Sequence, residues 1–168
     1  METKQLLDDY QKEEFAQIGE HIMHDCAPGN NNWHRRGIIV SDDPTGEMLA
    51  DVRKALKYND LAAAGKVHEI TTSIDWPMDD LDECYNRLKA EAQKVNHGLL
   101  VVWVNWIDLF KNCWCLKQLA KQEDPDLEFK GYVLLVVKFD KWEEVKKYAA
   151  EHNKGEFDAM MDCFYQRV

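Results

Sequence analysis

Two stretches of sequence, Leu99-Leu100-Val101-Val102-Trp103-Val104 and Tyr132-Val133-Leu134-Leu135-Val136-Val137, decide the fold of this chain. Each stretch is a short and continuous apolar run, without the polar–apolar alternation of a strand that faces water on one side. Strands that are buried on both faces have this composition, and they belong to parallel sheets that are covered by helices. The two stretches therefore predict the central strands of an α/β domain.

The regions on either side of these strands alternate between strand and helix patterns. Ile38-Ile39-Val40 predicts a short strand, and the alternation of apolar and polar residues from Val67 to Ile74 predicts a strand at the edge of the sheet. The direction of this edge strand stays open, since an edge strand can run antiparallel to its neighbour. Apolar residues three to five positions apart predict helices, with an N-terminal stripe of Leu7, Tyr10, Phe15, Ile18 and Ile22 and a very regular later stripe of Met78, Leu81, Tyr85, Leu88, Ala92 and Val95.

The order of these segments predicts a fold of the α/β class. It consists of a mostly parallel four-stranded sheet with helices on both faces, an N-terminal helix and a short C-terminal helix. We find no internal repeat, low-complexity tract or linker, so residues 1–168 are expected to form a single α/β domain. Hydrophobic residues make up 45% and charged residues 31% of the chain, which is typical of globular rather than disordered proteins.

The charge of the chain restricts its partners. It carries 31 acidic and 21 basic residues, which give a formal net charge of −10. This charge disfavours binding to nucleic acid and to an anionic membrane surface. It is compatible with a cationic partner, with a divalent metal ion, or with solubility alone, and it does not indicate an oligomeric state.

The cysteines and the N-terminus indicate a reducing compartment. The chain has five cysteines, and an odd number is untypical of a disulfide framework. Cys84 and Cys113 lie on the apolar sides of predicted helices and are interpreted as small buried hydrophobes, whereas Cys115 is interpreted as incidental. The N-terminal residues do not resemble a secretory signal, and the longest apolar run is too short to span a bilayer. We therefore expect a cytoplasmic protein without a membrane segment.

Acidic residues follow nearly every predicted strand. The first predicted strand ends at Ser41 and is followed by Asp42 and Asp43. Asp75 follows the second strand, and Asp108 lies shortly after the third, which ends at Asn105. The carboxyl ends of parallel strands meet at one edge of a sheet, which is where α/β proteins bind ligands. Clustered carboxylates suit Mg²⁺, which can activate water or orient a phosphate ester. The other interpretation is that these residues only cap helices, because aspartate is a favoured N-cap residue.

The loop before the first strand has an unusual composition for an acidic protein. Trp33, His34, Arg35 and Arg36 are consecutive there, and Trp76 follows the second predicted strand. Two guanidinium groups suit a carboxylate or a phosphate, and tryptophan and arginine are enriched where proteins bind partners. These five residues are therefore candidates for a binding surface. The alternative is a solvated loop with Trp33 folded back onto the protein.

A second cluster along the sequence contains His21, His24, Asp25, Cys26 and His34. His21 and His24 are three residues apart on a predicted helix, so they share a side, and Cys26 or His34 would complete a set of ligands that suits zinc. The spacing matches no established zinc motif. We interpret these residues as surface and helix-end side chains.

Two functions from different classes agree with these patterns. The favoured one is a non-catalytic interaction protein that binds a protein partner without a cofactor, as an immunity protein or antitoxin does. The alternative is a Mg²⁺-dependent hydrolase of a phosphate ester, in which Asp42, Asp43 and Asp75 hold the cation, with Asn105 or Asp108 in support, and Arg35 or Arg36 contacts the substrate. Neither a Gly-x-x-x-x-Gly-Lys nor a Gly-x-Gly-x-x-Gly sequence is present, so no phosphate-binding loop decides between them.

Overall fold

The computed structural model describes residues 7–25, 37–41, 46–71, 81–105, 114–119, 121, 123–138, 147, 150–151, 155, 158–159 and 166–167. Within these residues the helices are α1 (Asp9–Met23), α2 (Glu47–Leu56), α3 (Tyr58–Ala63) and α4 (Leu81–Gln93). The strands are β1 (Gly37–Ser41), β2 (Val67–Thr71), β3 (Leu99–Asn105), β4 (Tyr132–Lys138) and β5 (Gln166–Arg167). Residues 114–119 are also helical.

The strands form one sheet in the order β2-β3-β4-β1-β5, and each neighbouring pair is parallel. The predicted mixed α/β fold with a parallel sheet is therefore confirmed. β2 lies at an edge, where its alternation of apolar and polar residues predicts it, and it runs parallel to β3. The sequence patterns do not predict β5, which has only two residues.

Both faces of the central strands β3 and β4 are buried over residues 99–102 and 132–136. On one face, the strand residues of a continuous core are Leu99, Val101, Tyr132, Leu134 and Val136. The alternate positions Leu100, Val102, Val133 and Leu135 are at most 1% exposed. Burial on both faces explains why these strands have continuous apolar sequences, and each fully buried side chain of this size contributes about 1.5–3 kcal/mol to stability.

The helices α1, α2 and α3 supply the other side of that core. Their buried residues are Phe15, Ile18, Ile22, Leu49, Val52, Leu56 and Leu61. The N-terminus of α1 is closed by a reciprocal capping box, in which the Asp8 carboxylate accepts from the Gln11 backbone N–H at 2.7 Å and the Gln11 side chain accepts from Asp8. None of the helices in the described part of the chain has the length and apolarity that crossing a membrane requires.

The predicted apolar stripe of α1 is wrong at one position. Phe15, Ile18 and Ile22 are buried, but Tyr10 is 66% exposed. Tyr10 precedes Phe15 by five residues, which is about 140° around a helix at 100° per residue, so it cannot share the buried face. The spacings of three and four residues place the other members on one side.

The amino ends of the three strands β2, β3 and β4 form a closed edge, which we call the amino edge. Lys66, Gly98 and Gly131 immediately precede these strands. The backbone N–H of Leu99 donates to the Lys66 carbonyl at 2.8 Å, and the N–H of Tyr132 donates to the Gly98 carbonyl at 2.9 Å. A Cβ atom on Gly98 would overlap the Lys66 carbonyl, and one on Gly131 would overlap the Gly98 carbonyl. Glycine is therefore required at both positions for the strands to meet.

Candidate functional site

The carboxyl ends of β3, β4 and β1 are level with one another. Asn105 of β3 is paired in register with Lys138 of β4, and Lys138 is paired with Ser41 of β1. Neighbouring strands lie about 4.8 Å apart, so these three residues form a row about 10 Å long. We call it the carboxyl row. It puts an amide, an amine and a hydroxyl residue at adjacent strand ends, directly after apolar strand interiors.

The order of the strands favours a crevice at this row. The connection after β1 leads to β2 at the far edge, and the connection after β4 leads to β5 in the opposite direction. Because nearly all connections between parallel strands are right-handed, we expect connections that leave in opposite directions to run on opposite faces of the sheet. Ligands of open α/β sheets bind between such strands, outside their carboxyl ends.

The site residues predicted from the sequence lie outside the described residues. This holds for Asp42, Asp43, Asp75 and Asp108, and for the candidate binding residues Trp33, His34, Arg35, Arg36 and Trp76. Their positions along the chain are nevertheless fixed relative to the strands. Asp42 and Asp43 follow the last residue of β1 directly, and Asp108 follows the last residue of β3 by three positions.

A group of side chains surrounds the carboxylate of Glu69 in β2, and we call it the Glu69 cluster. Glu69 accepts hydrogen bonds from the Tyr58 hydroxyl at 2.5 Å, from Trp103 Nε1 at 2.9 Å and from Arg53 Nη2 at 3.2 Å. The Arg53 guanidinium also lies over the Tyr58 ring, 5.0 Å from its centroid. The cluster therefore ties α2 and α3 to β2 and β3, with Trp103 two residues before the end of β3.

The electrostatics of the Glu69 cluster suit an anchor rather than an acid–base catalyst. Partial burial alone would raise the pKa of Glu69, but the hydrogen bonds from Tyr58 and Trp103 and the charge of Arg53 outweigh it and lower that pKa. Burial, together with the bond to Glu69, raises the pKa of Tyr58 to about 12. Glu69 is therefore ionised and Tyr58 protonated at neutral pH, and neither group is poised to exchange a proton.

The junction of α2 and α3 forms an open depression of about 480 Å³, lined by Ala50, Arg53, Lys54, Lys57, Tyr58, Asn59 and Asp60. Its cations are offset by acidic groups. Arg53 pairs with Glu69, and Lys57 Nζ lies 4.0 Å from a Glu20 oxygen. Near-neutral charge and an open shape make this depression a poor candidate for binding an anion.

The structure separates the histidine cluster that the sequence brings together. Nδ1 of His21 lies 3.0 Å from the buried hydroxyl of Tyr132, whereas His24 is near Glu20 on its own helix and Asp25 pairs with Lys66. Cys26 and His34 lie outside the described residues. Among the residues that the structure describes, no group of three His, Cys, Asp or Glu side chains could hold a metal ion.

Two cysteines form a buried pair. Cys84 of α4 and Cys115 of the 114–119 helix are buried reduced thiols that hydrogen-bond to each other. Burial raises the pKa of both thiols, so neither is an activated nucleophile at neutral pH. The interpretation of Cys115 as incidental is therefore wrong, because it is fully buried. Cys113 lies outside the described residues.

Comparisons of the chain with protein-family models, with curated proteins and with solved structures gave no match. The support for the candidate site therefore comes from the strand register alone. Sequence reasoning identified Ser41 and Asn105 as strand ends but did not single out Lys138. The signal that could have found it is a lysine at the end of a continuous apolar run, since charged residues are rare inside buried strands.

Proposed function

We propose that the protein binds a small anionic molecule of the phosphate-ester class at the carboxyl row. The observation that supports the proposal is the register that aligns Asn105, Lys138 and Ser41 at the ends of three adjacent parallel strands. An ammonium group is a common phosphate ligand, and hydroxyl and amide groups add neutral hydrogen bonds. These three residue types together suit a phosphate oxygen cluster better than an apolar ligand.

A divalent cation completes the proposed site. Asp42 and Asp43 follow Ser41 in the chain and supply carboxylate oxygens of the kind that Mg²⁺ prefers. Asp75 and Asp108 follow the ends of β2 and β3 and are the further candidate ligands. The alternative role of these residues as helix caps remains compatible with ligand binding, because a cap carboxylate has more than one lone pair.

The reaction class that fits this set is hydrolysis of the phosphate ester. The strand-end carboxylates would hold the cation, and the chemistry that it would supply is activation of water for attack on phosphorus. The charge of Lys138 would offset the negative charge that develops on the phosphate oxygens. Binding is the first step of the proposal, and turnover is tested separately from it.

The crevice at the carboxyl row requires helices on both faces of the sheet. We infer that α4 and the 114–119 helix cover the face opposite α1, α2 and α3. The support is that Leu100, Val102, Val133 and Leu135 are buried although they alternate with the residues of the α1–α3 core. The buried residues of α4 and of the 114–119 helix, such as Leu88 and Leu116, also lie outside that core.

The test is thermal unfolding with Mg²⁺, Mn²⁺, Ca²⁺ or Zn²⁺, each with and without phenyl phosphate. A ligand at a hundred times its Kd adds about 2.7 kcal/mol, which raises the midpoint by about 5–10 °C for a domain of this size. We expect one cation and phenyl phosphate to give this shift together. Release of inorganic phosphate from phenyl phosphate, measured in parallel, reports turnover.

Matched variants assign the shift to the site. Lys138→Met and the double variant Asp42→Asn, Asp43→Asn should lose it. Lys12→Met removes the same charge from an exposed position of α1 and should keep it. A small shift that is equal for all cations and persists in Lys138→Met would reflect screening of the net charge of −10 and would contradict the proposal.

The docking hypothesis from the sequence remains a prediction. It depends on Trp33, Trp76 and the adjacent arginines, which lie outside the described residues. Within the described part of the chain, the large hydrophobic side chain that stands out as exposed is Tyr10. Binding of a protein partner that is abolished by Trp33→Ala but unaffected by Tyr10→Ala would favour this hypothesis over ligand binding at the carboxyl row.

A further inference from the structure

The thiols of Cys84 and Cys115 are in contact although 31 positions separate the two residues along the chain. Cys84 is 1% exposed and Cys115 is fully buried. The two thiols interact with each other through a side-chain hydrogen bond. Each thiol therefore has the other as a neighbour inside the protein.

A second contact beside the thiols joins the same two helices. Tyr85 follows Cys84 and Trp114 precedes Cys115, and their rings meet edge to face with centroids 6.0 Å apart. The Tyr85 hydroxyl also donates to the Asp124 carboxylate at 2.9 Å. The contact between residues adjacent to both cysteines brings the segments that carry Cys84 and Cys115 side by side.

We propose that Cys84 and Cys115 form a reversible disulfide when the protein encounters hydrogen peroxide. The bond joins α4 to the 114–119 helix and closes a loop that contains all of β3. The sulfur atoms must move from hydrogen-bonding contact to about 2.05 Å. A small oxidant is required, because both thiols are shielded from larger disulfides such as glutathione disulfide.

The chemistry balances without any further reactant. The Cys84 thiolate attacks one oxygen of hydrogen peroxide, the O–O bond breaks, and hydroxide leaves, so that Cys84 becomes a sulfenic acid. The Cys115 sulfur then attacks the Cys84 sulfur and expels the hydroxyl group, which leaves as water with the proton of Cys115. The two thiols lose two electrons and two protons, and peroxide is reduced to two water molecules.

The order of attack follows from the surroundings of each thiol. The hydrogen bond from Cys115 and the charge of Arg87 both favour the thiolate of Cys84, although burial still raises its pKa above the ordinary value. Cys115 has no comparable support and its pKa is raised further. The reaction therefore begins at Cys84, is slow at neutral pH, and accelerates as the pH rises.

The first measurement maps the disulfide in the complete chain. The native protein is treated with hydrogen peroxide, remaining thiols are alkylated, and the digest is analysed by mass spectrometry without reduction. We expect a peptide that links Cys84 to Cys115, lighter by two hydrogen atoms than the sum of its parts and cleaved by dithiothreitol. Alkylation of both cysteines after peroxide, or a link from Cys84 to Cys113, would overturn the proposal.

The second measurement uses variants to exclude the other cysteines. In the triple variant Cys26→Ser, Cys113→Ser, Cys163→Ser, only the proposed pair remains. Peroxide should raise its unfolding midpoint by roughly 5–15 °C, because a disulfide that closes a loop of this length lowers the conformational entropy of the unfolded chain. Cys115→Ala in the same background should show no rise. A rise in both variants, or in neither, would count against the disulfide, and neither result depends on the proposed ligand site.

Discussion

The amino edge and the carboxyl row lie at opposite ends of the same strands and are built differently. At the amino edge, backbone atoms of Lys66, Gly98 and Gly131 meet so closely that a single Cβ atom would overlap a carbonyl. At the carboxyl row, Asn105, Lys138 and Ser41 are side-chain-bearing polar residues in register. The amino edge is therefore closed by backbone packing, and the ligand site that we propose lies at the other end of the sheet.

The largest loss of stability is expected from a substitution at the amino edge. Gly131→Ala would press a Cβ atom against the Gly98 carbonyl and the Phe129 ring, and the backbone offers no flexible group that could give way. We expect the free energy of unfolding to fall by about 3 kcal/mol or more, measured by urea denaturation.

Gly155→Ala is the matched control for this prediction. Gly155 is helical, and an added Cβ would meet nothing within 4 Å. The change should raise stability by about 0.5–1 kcal/mol, because alanine has the higher helix propensity. Equal effects of the two substitutions would mean that the close backbone contact at Gly131 does not limit the stability of the amino edge.

The next largest loss of stability is expected when a polar contact at the start of β4 is removed. The Tyr132 side chain is 1% exposed, and its hydroxyl lies 3.0 Å from Nδ1 of His21. Tyr132→Phe removes this hydrogen bond and should lower the free energy of unfolding by about 1 kcal/mol in thermal or urea denaturation. Tyr10→Phe, at an exposed position, should change stability by less than the error of the measurement. If Tyr132→Phe left the free energy of unfolding unchanged, the hydrogen bond to His21 would not contribute to the stability of the amino edge.

A smaller contribution to stability, that of Glu91, depends on pH. His68 of β2 and Glu91 of α4 are 2.5 Å apart, and their hydrogen bond, followed by the contacts of Lys94, lowers the pKa of Glu91 below its ordinary value of 4.5 although partial burial opposes it. Because this pKa is lower in the folded than in the unfolded chain, the contribution of Glu91 is complete above pH 4.5 and is lost as the pH falls through the folded-state pKa.

The measurement compares wild type with Glu91→Gln across this range. Near neutral pH the variant should be less stable by about 0.5–1 kcal/mol, and the difference should shrink as the pH falls below 4.5. Glu13→Gln, at an exposed position of α1, should give no such convergence. A constant difference at all pH values would assign the effect of Glu91→Gln to packing rather than to charge.

The smallest expected effect on stability belongs to the carboxyl row. Lys138→Met should change the free energy of unfolding by no more than about 0.5 kcal/mol without ligand, because a lysine at a strand end makes little contribution to packing. The same variant should lose the ligand-dependent shift described above. A large loss of stability without ligand would instead show that Lys138 has a structural role, and the contrast with Gly131 would disappear.

Much of the fold could be predicted from local patterns. The continuous apolar runs predicted β3 and β4, and the regular stripe predicted α4, because burial on two faces or on one stripe leaves a direct imprint on residue spacing. Tyr10 was assigned to the buried face of α1 although its spacing did not fit. The short helix α3 was missed, because Lys57 in a left-handed conformation separates it from α2 and no glycine or proline marks the break.

Sequence alone determined the fold class, the edge position of β2, and the acidic residues that follow the strands, since these depend on neighbouring residues. Tertiary structure decided that β1 lies beside β4, that Lys138 stands between Asn105 and Ser41, and that Cys84 touches Cys115. Those contacts join residues far apart along the chain. They are set by how the buried faces of helices and strands pack against one another, which no local spacing of residues encodes.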